Sequence, residues 1–217
     1  MHAYPQPLRE PRPLSVAVLG DSLACGLGAS MPEKGLAQLL HATLRAQRPA
    51  STLFSFGVPH STMGDVLRHQ VPQLRAVPAD LVIVIAGAND LRYTRDVLVI
   101  TRRFRALLEA IHQAAPNAQV VAGGMPDVTQ TVGVPRLLKP AVQRLCARLN
   151  ERMRGIAESR GDGFIDLFAF TSAPLCCDAD YLCADGFHPN DFGYAEIAQR
   201  AYPAIAQAVE RAVAAGS

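Results

Sequence analysis

The stretch DLVIVIAG, residues 80–87, decides how this chain folds. Asp80 and Gly87 bracket six consecutive apolar residues, most of them β-branched. A run this short and this apolar reads as a strand covered on both faces, as in the interior of a parallel sheet. Working outward, LSVAVLG (14–20), TLFSFG (52–57), AQVVAGG (118–124) and GFIDL (163–167) supply four further strand candidates. Between them the apolar spacing turns helical. Leu36, Leu39, Leu40 and Leu44 share one face of a segment over 33–47, and Met63, Val66, Leu67 and Leu74 mark another over about 62–76. Further helices are predicted over 94–114, ended by Pro116, and over 138–159. Residues 168–190 read as irregular, and a last helix over 191–214 has Asn190 or Asp191 as its cap. Strands alternating five times with helices predict an α/β fold, a three-layer α/β/α sandwich on a parallel sheet.

A chain of 217 residues suits one domain. With 49% hydrophobic and 18% charged residues it is globular, and disorder is excluded. A formal charge of +2, with the basic residues scattered, gives no electrostatic case for a nucleic-acid partner. Residues 1–13, with four prolines, are expected to form a flexible extension before a single catalytic domain over 14–217. The extension has no apolar core of a leader peptide, and no run is long enough to span a membrane, which favours a cytoplasmic setting. A secreted one stays open if the N-terminus was processed or replaced. Of the five cysteines, Cys25 and Cys146 read as small core residues, while Cys176, Cys177 and Cys183 cluster where a disulfide stays open.

In an open parallel sheet, ligands bind at the carboxyl ends of the strands. After the first strand stands Gly20-Asp21-Ser22, after the second Gly57, and after the third Gly87-Ala88-Asn89-Asp90. Beyond the last strand and its long loop stands Asp185-Gly186-Phe187-His188-Pro189-Asn190. These are the residue types that acyl transfer needs. A serine hydroxyl attacks once a neighbouring histidine takes its proton, and a carboxylate three residues away can hold that histidine in one tautomer. The backbone N–H groups of Ser22 and Gly57 and the Asn89 amide are suitable donors for a developing oxyanion. Each motif alone has a plainer explanation, since Gly, Asp, Ser and Asn all belong in strand-ending turns and helix caps. Their conjunction, in one order and at one rim, is what carries the functional reading.

VAVLGDSLACGLGA (16–29) resembles the first sequence block of the GDSL/SGNH hydrolases. FSFGVPHST (54–62) is similar to the second, IAGANDL (85–91) to the third, and DGFHPNDFGYAEIA (185–198) to the fifth. The resemblance implies a flavodoxin-like sheet of five parallel strands in the order 2-1-3-4-5 and an esterase, lipase or thioesterase activity. It implies Ser22, Asp185 and His188 as catalytic residues, Ser22, Gly57 and Asn89 as the oxyanion hole, and no cofactor or metal. Ser55 stands where the second block commonly has asparagine. That alters the support of the loop and keeps its glycine.

Two rivals come from other classes. Cys176, Cys177, Cys183 and His188 include zinc-ligand chemistry, but without the usual Cys-x-x-Cys spacing, and a zinc ion would take the base from Ser22. A silent binding module would keep the same cleft without labelling at serine. Asp21 and Asp90 read as turn braces, His41, His69 and His112 as surface residues, and His60 as a candidate for the site rim. Met125, Val128, Val132, Val134, Leu175 and Leu182 make the flanking loops apolar. The expected substrate is therefore a small-molecule acyl ester, lipid-like or small, with carbohydrate acetyl esters and thioesters as alternatives. Chain-length preference and oligomeric state are not encoded in any motif.

Overall fold

The computed structural model describes residues 13–131, 133–172 and 179–215. Most of the expected extension, Val132, Leu175, Cys176 and Cys177 lie outside them. Five parallel strands, β1 (Ser15–Gly20), β2 (Thr52–Ser55), β3 (Leu81–Ile85), β4 (Gln119–Gly123) and β5 (Gly163–Ile165), form one sheet in the order β2-β1-β3-β4-β5. β3 is the central strand, and all five of its residues are buried.

Side-chain alternation along each strand divides the interior into two cores. Ala17, Leu19, Val82, Val84, Val120 and Ala122 face one side, where they meet α4 (Val97–Ala114) and α5 (Lys139–Glu158). Val16, Val18, Leu81, Ile83, Ile85 and Val121 face the other, against α2 (Leu36–Gln47) and α7 (Asp191–Ala215). The continuous apolar run of β3 is thus needed by both layers at once. Cys146 lies in the core as expected, whereas Cys25, at the end of the short helix α1 (Ser22–Cys25), is exposed. Met125 is fully buried, packing the base of its loop.

The segment expected as one helix over 62–76 is instead three pieces. A capping box between Thr62 and Asp65 starts α3 (Met63–Asp65), a π turn follows over Val66–Gln70, and a 3₁₀ turn closes it over Val71–Ala76. Pro72 is the reason: it has no N–H to give, and its ring excludes an ideal α-helical carbonyl four residues back. Among its described residues, the region expected to be irregular holds a short α-helix, α6 (Leu167–Thr171), whose cap Asp166 accepts from the Ala169 N–H, and a 3₁₀ turn over Ala179–Tyr181. Of the two cap candidates for α7, Asn190 performs the task, accepting from the N–H groups of Phe192 and Gly193 at 2.9 and 3.1 Å.

Asp191 does something else. It accepts from the Ser30 N–H at 2.8 Å and the Ser30 hydroxyl at 2.7 Å and pairs with Lys34, tying the start of α7 to the segment after α1. Gly28 lies in that same seam with φ +103°, where a Cβ would fall 2.5 Å from the Pro189 carbonyl oxygen and 3.1 Å from the His188 Cβ. Gly28→Ala should therefore lower stability by roughly 1–3 kcal/mol, readable as a shifted denaturant midpoint with an unchanged slope.

Candidate active site

Ser22 opens α1 directly after β1. Asp21 caps that helix, accepting from the Leu23 N–H at 3.0 Å, and its own N–H donates to the Ile85 carbonyl of β3 at 3.0 Å. The turn is thereby hooked to the central strand. The carbonyl oxygens of Leu27 and Ser22 accept from the buried Tyr194 hydroxyl of α7, at 2.7 and 3.4 Å.

His188 sits in a turn that its own neighbours build. Cys183 donates its N–H to the His188 carbonyl at 2.8 Å, and Leu182 bridges Pro189 in antiparallel fashion. Asp185 Oδ1 accepts from the backbone N–H groups of Phe187 and His188 at 2.7 and 2.9 Å, and Oδ2 lies 2.7 Å from His188 Nδ1. Burial pushes the Asp185 carboxyl up, but the hydrogen bonds from the His188 ring and backbone, Cys183 and Phe187 outweigh it and hold it well below the usual carboxylate range. An ionised carboxylate only accepts, so Nδ1 carries the hydrogen and Nε2 of the neutral ring is left as the proton acceptor.

Ser22, Asn89 and His188 line one cleft of about 530 Å³, with Asp21 beside them. Asn89 lies in a 3₁₀ helix, Ala88–Arg92, and its side-chain amide donates to the Ser61 carbonyl at 3.1 Å. Asp90 faces the other way: fully buried, it accepts from the Met63 N–H at 2.9 Å and from Arg103 at 2.8 Å, bracing this loop against α3 and α4. Gly57 packs on α1, where a Cβ would fall 2.6 Å from the Cys25 nitrogen. Its neighbours Phe56 and Val58 donate to the Val18 and Gly20 carbonyls of β1. His60, with φ 66°, lines the cleft.

The match to known proteins follows the same geometry. The model of the GDSL-like Lipase/Acylhydrolase family matches residues 18–196. The chain belongs to that family. It is an ester-hydrolysing enzyme. No curated protein matches the chain by sequence. Among solved structures, the psychrotrophic esterase EstA of Pseudoalteromonas sp. is 22% identical with a TM-score of 0.71, over 90% of this chain and 98% of that one. The lipase/acylhydrolase of Enterococcus faecalis is 22% identical, with a TM-score of 0.67 over 88% and 95% of the two chains. An acetyl xylan esterase of Geobacillus stearothermophilus is 18% identical, with a TM-score of 0.67 over 88% and 94%. These likenesses are of fold.

Within this GDSL-like hydrolase, one supporting residue carries no motif signal. Gln70, 1% exposed, accepts from the Gly20 N–H and donates to the Gly20 carbonyl, both at 2.8 Å. A side-chain amide thus completes the end of β1 as a neighbouring strand would, two residues before Ser22. The same amide nitrogen reaches the Ser61 hydroxyl at 3.5 Å, and Ser61 in turn holds Asn89. Of the histidines expected on the surface, His69 is exposed, whereas His41 is half-buried against the Ser51 carbonyl and His112 is paired with the buried Asp162. Among the described residues, no group of three or more His, Cys, Asp or Glu side chains is arranged to hold a metal ion, and no helix is long and apolar enough to cross a membrane.

Asp21 is nearly inaccessible, and burial raises its carboxyl to about 7, despite the hydrogen bond from Leu23 and with a further push from Asp90. An acid whose folded pKa exceeds its unfolded one is protonated in both states below about pH 4. As pH climbs toward 7 the unfolded chain loses its proton first, so this carboxyl costs the native state stability across that window and a constant amount above it. Asp21→Asn keeps an acceptor for Leu23 and removes the titration. The variant should be more stable than wild type at pH 7.5, by on the order of a few kcal/mol at most, with a smaller margin at pH 4.5 in parallel urea titrations.

Proposed function

We propose that Ser22 is the nucleophile, His188 the base and Asp185 the residue that orients it, acting on carboxylic esters through an acyl-enzyme. The observation that carries this reading is the His188 Nδ1 to Asp185 Oδ2 contact of 2.7 Å, in a turn that also aims two backbone N–H groups at the same carboxylate. A carboxylate so held fixes the imidazole tautomer and stabilises the imidazolium that forms as the proton leaves serine.

The reaction then runs in two halves. His188 Nε2 takes the Ser22 proton as Oγ bonds to the ester carbonyl carbon, and the carbonyl oxygen becomes an oxyanion. The N–H groups of Ser22 and Gly57 and the Asn89 amide are its donors. Collapse expels the alkoxide, which leaves with the proton from His188, and water repeats the sequence on the acyl-enzyme. No metal or organic cofactor enters the scheme. The cleft walls include Leu23, Leu91, Val128, Val142 and Leu145, which suits lipid-like or small acyl chains.

Ser22→Ala should abolish hydrolysis of p-nitrophenyl butyrate while leaving the thermal unfolding midpoint close to that of wild type. A fluorophosphonate probe should add one label to wild type, located at Ser22 by peptide mass mapping, and none to the variant. Full activity in Ser22→Ala would end the assignment. Asn89→Ala should lower kcat by about 100- to 1,000-fold with little change in KM, because its amide serves an oxygen that is charged only in the transition state.

A further inference from the structure

The cleft carries a second chemical signature that ester cleavage itself does not use. Arg92 and Arg95 both line its wall. Asn89 and Arg92 belong to the same 3₁₀ helix, in which side chains three residues apart eclipse one another. Arg92 therefore lies on the same face as Asn89, about 6 Å along the axis. Arg95 follows in the turn that leads into α4 and lines the same wall.

Neither guanidinium makes an ion pair among the described residues, because the acids around them are committed elsewhere. Asp90 is buried and taken by Met63 and Arg103. Asp96 caps α4, accepting from the Leu98 and Val99 N–H groups at 2.8 and 3.3 Å. Asp127, on the loop after β4, accepts from Thr129 and from Gln143. Asp185 is held by the His188 turn, and burial disfavours the charge on Asp21. Much of the remaining lining is apolar, with Leu91, Val134, Val142 and Leu145 among it.

We propose that Arg92 and Arg95 form an anion subsite in the cleft, so that preferred substrates are esters bearing a carboxylate or phosphate at a distance from the bond that is cut. The inference rests on the placement of Ser22 and Asn89 at the reacting carbonyl. A planar guanidinium offers paired donors that match the oxygens of either anion, and two on one wall give the charge a fixed side of the cleft. The anion can belong to the acyl chain or to the alcohol, and the chemistry of recognition is the same.

Two matched pairs separate these sources. The mono-p-nitrophenyl ester of octanedioic acid differs from p-nitrophenyl octanoate only by a terminal carboxylate on the acyl chain. The compound 1-butanoylglycerol 3-phosphate differs from 1-butanoylglycerol only by a phosphate on the alcohol. The wild-type enzyme should favour the anionic member of at least one pair by roughly threefold to tenfold in kcat/KM, mostly through KM. The preference should shrink in 0.5 M NaCl and vanish or invert in Arg92→Glu/Arg95→Glu. A binding measurement needs no turnover: calorimetry on Ser22→Ala should find monomethyl octanedioate bound more tightly than methyl octanoate, with the margin lost when both arginines are also reversed. Equal handling of both pairs, or a preference that survives charge reversal, overturns the subsite. A protein that cleaves no ester yet keeps the calorimetric margin overturns the nucleophile assignment instead and leaves the subsite standing.

Discussion

The site depends on a seam between the two ends of the chain. Ser30 and Asp191 are 161 residues apart in sequence and share two hydrogen bonds. Tyr194 donates to Leu27 and Ser22 carbonyls, and Gly28 lets Pro189 and His188 come closer than any side chain would permit. Every one of these contacts joins the segment carrying the serine to the segment carrying the histidine. Because a loop closed over such a length costs only slowly growing entropy, a handful of bonds can hold it. The rest of the fold, five strands and two cores, keeps the two anchors of that seam in register.

A second constraint links the remaining parts of the cleft. Gln70 clips Gly20, reaches Ser61, and Ser61 holds Asn89, while Asp90 pins the same 3₁₀ helix to α3 and to Arg103. A donor for a developing charge is useful only if it does not have to reorganise when the charge appears. Satisfied hydrogen bonds in a buried setting supply that stiffness, because each polar group would lose more by moving than it could regain elsewhere. The π turn that presents Gln70 follows from Pro72, so an irregularity in one helix serves the end of a strand fifty residues away in sequence.

Much of this was legible in the residues. The uninterrupted apolar run of β3 points to the parallel sheet, and the rule that ligands gather at strand ends points to the turns that carry Ser22, Gly57 and Asn89. The spacing of Asp185 and His188 foretold their pairing. What escaped has a common cause. Pro72 stood in plain view, yet helical apolar spacing masked its effect on the segment 62–76. Cys25 looked like a core residue because its neighbours were apolar, and its exposure follows from where α1 ends. Gln70 has no sequence signal at all, since its partners are brought to it only by the folded sheet. The same holds for Arg92 and Arg95, whose lack of acid partners depends on where Asp90, Asp96 and Asp127 have placed theirs.

The groups that stability alone would not choose gather around this cleft. Asp21 is a carboxyl in a nearly dry environment, Arg92 and Arg95 make no ion pair among the described residues, and His60 occupies a left-handed conformation at the cleft wall. Away from it, most of the sheet and helices follow alternation, capping and burial, with Pro203 inside α7 and the buried Asp162 as exceptions. Local rules are broken where a site is built, and the consistency of the remainder is what tolerates the break. Asp21 shows why such a cost persists. The Asp21 N–H hooks the turn to β3 and its carboxylate accepts from Leu23 at the start of α1, so the same position that penalises the folded state near neutral pH also places Ser22. A residue tuned for stability alone would not need to be an acid there, which makes position 21 a place where the demands of folding and of chemistry pull apart.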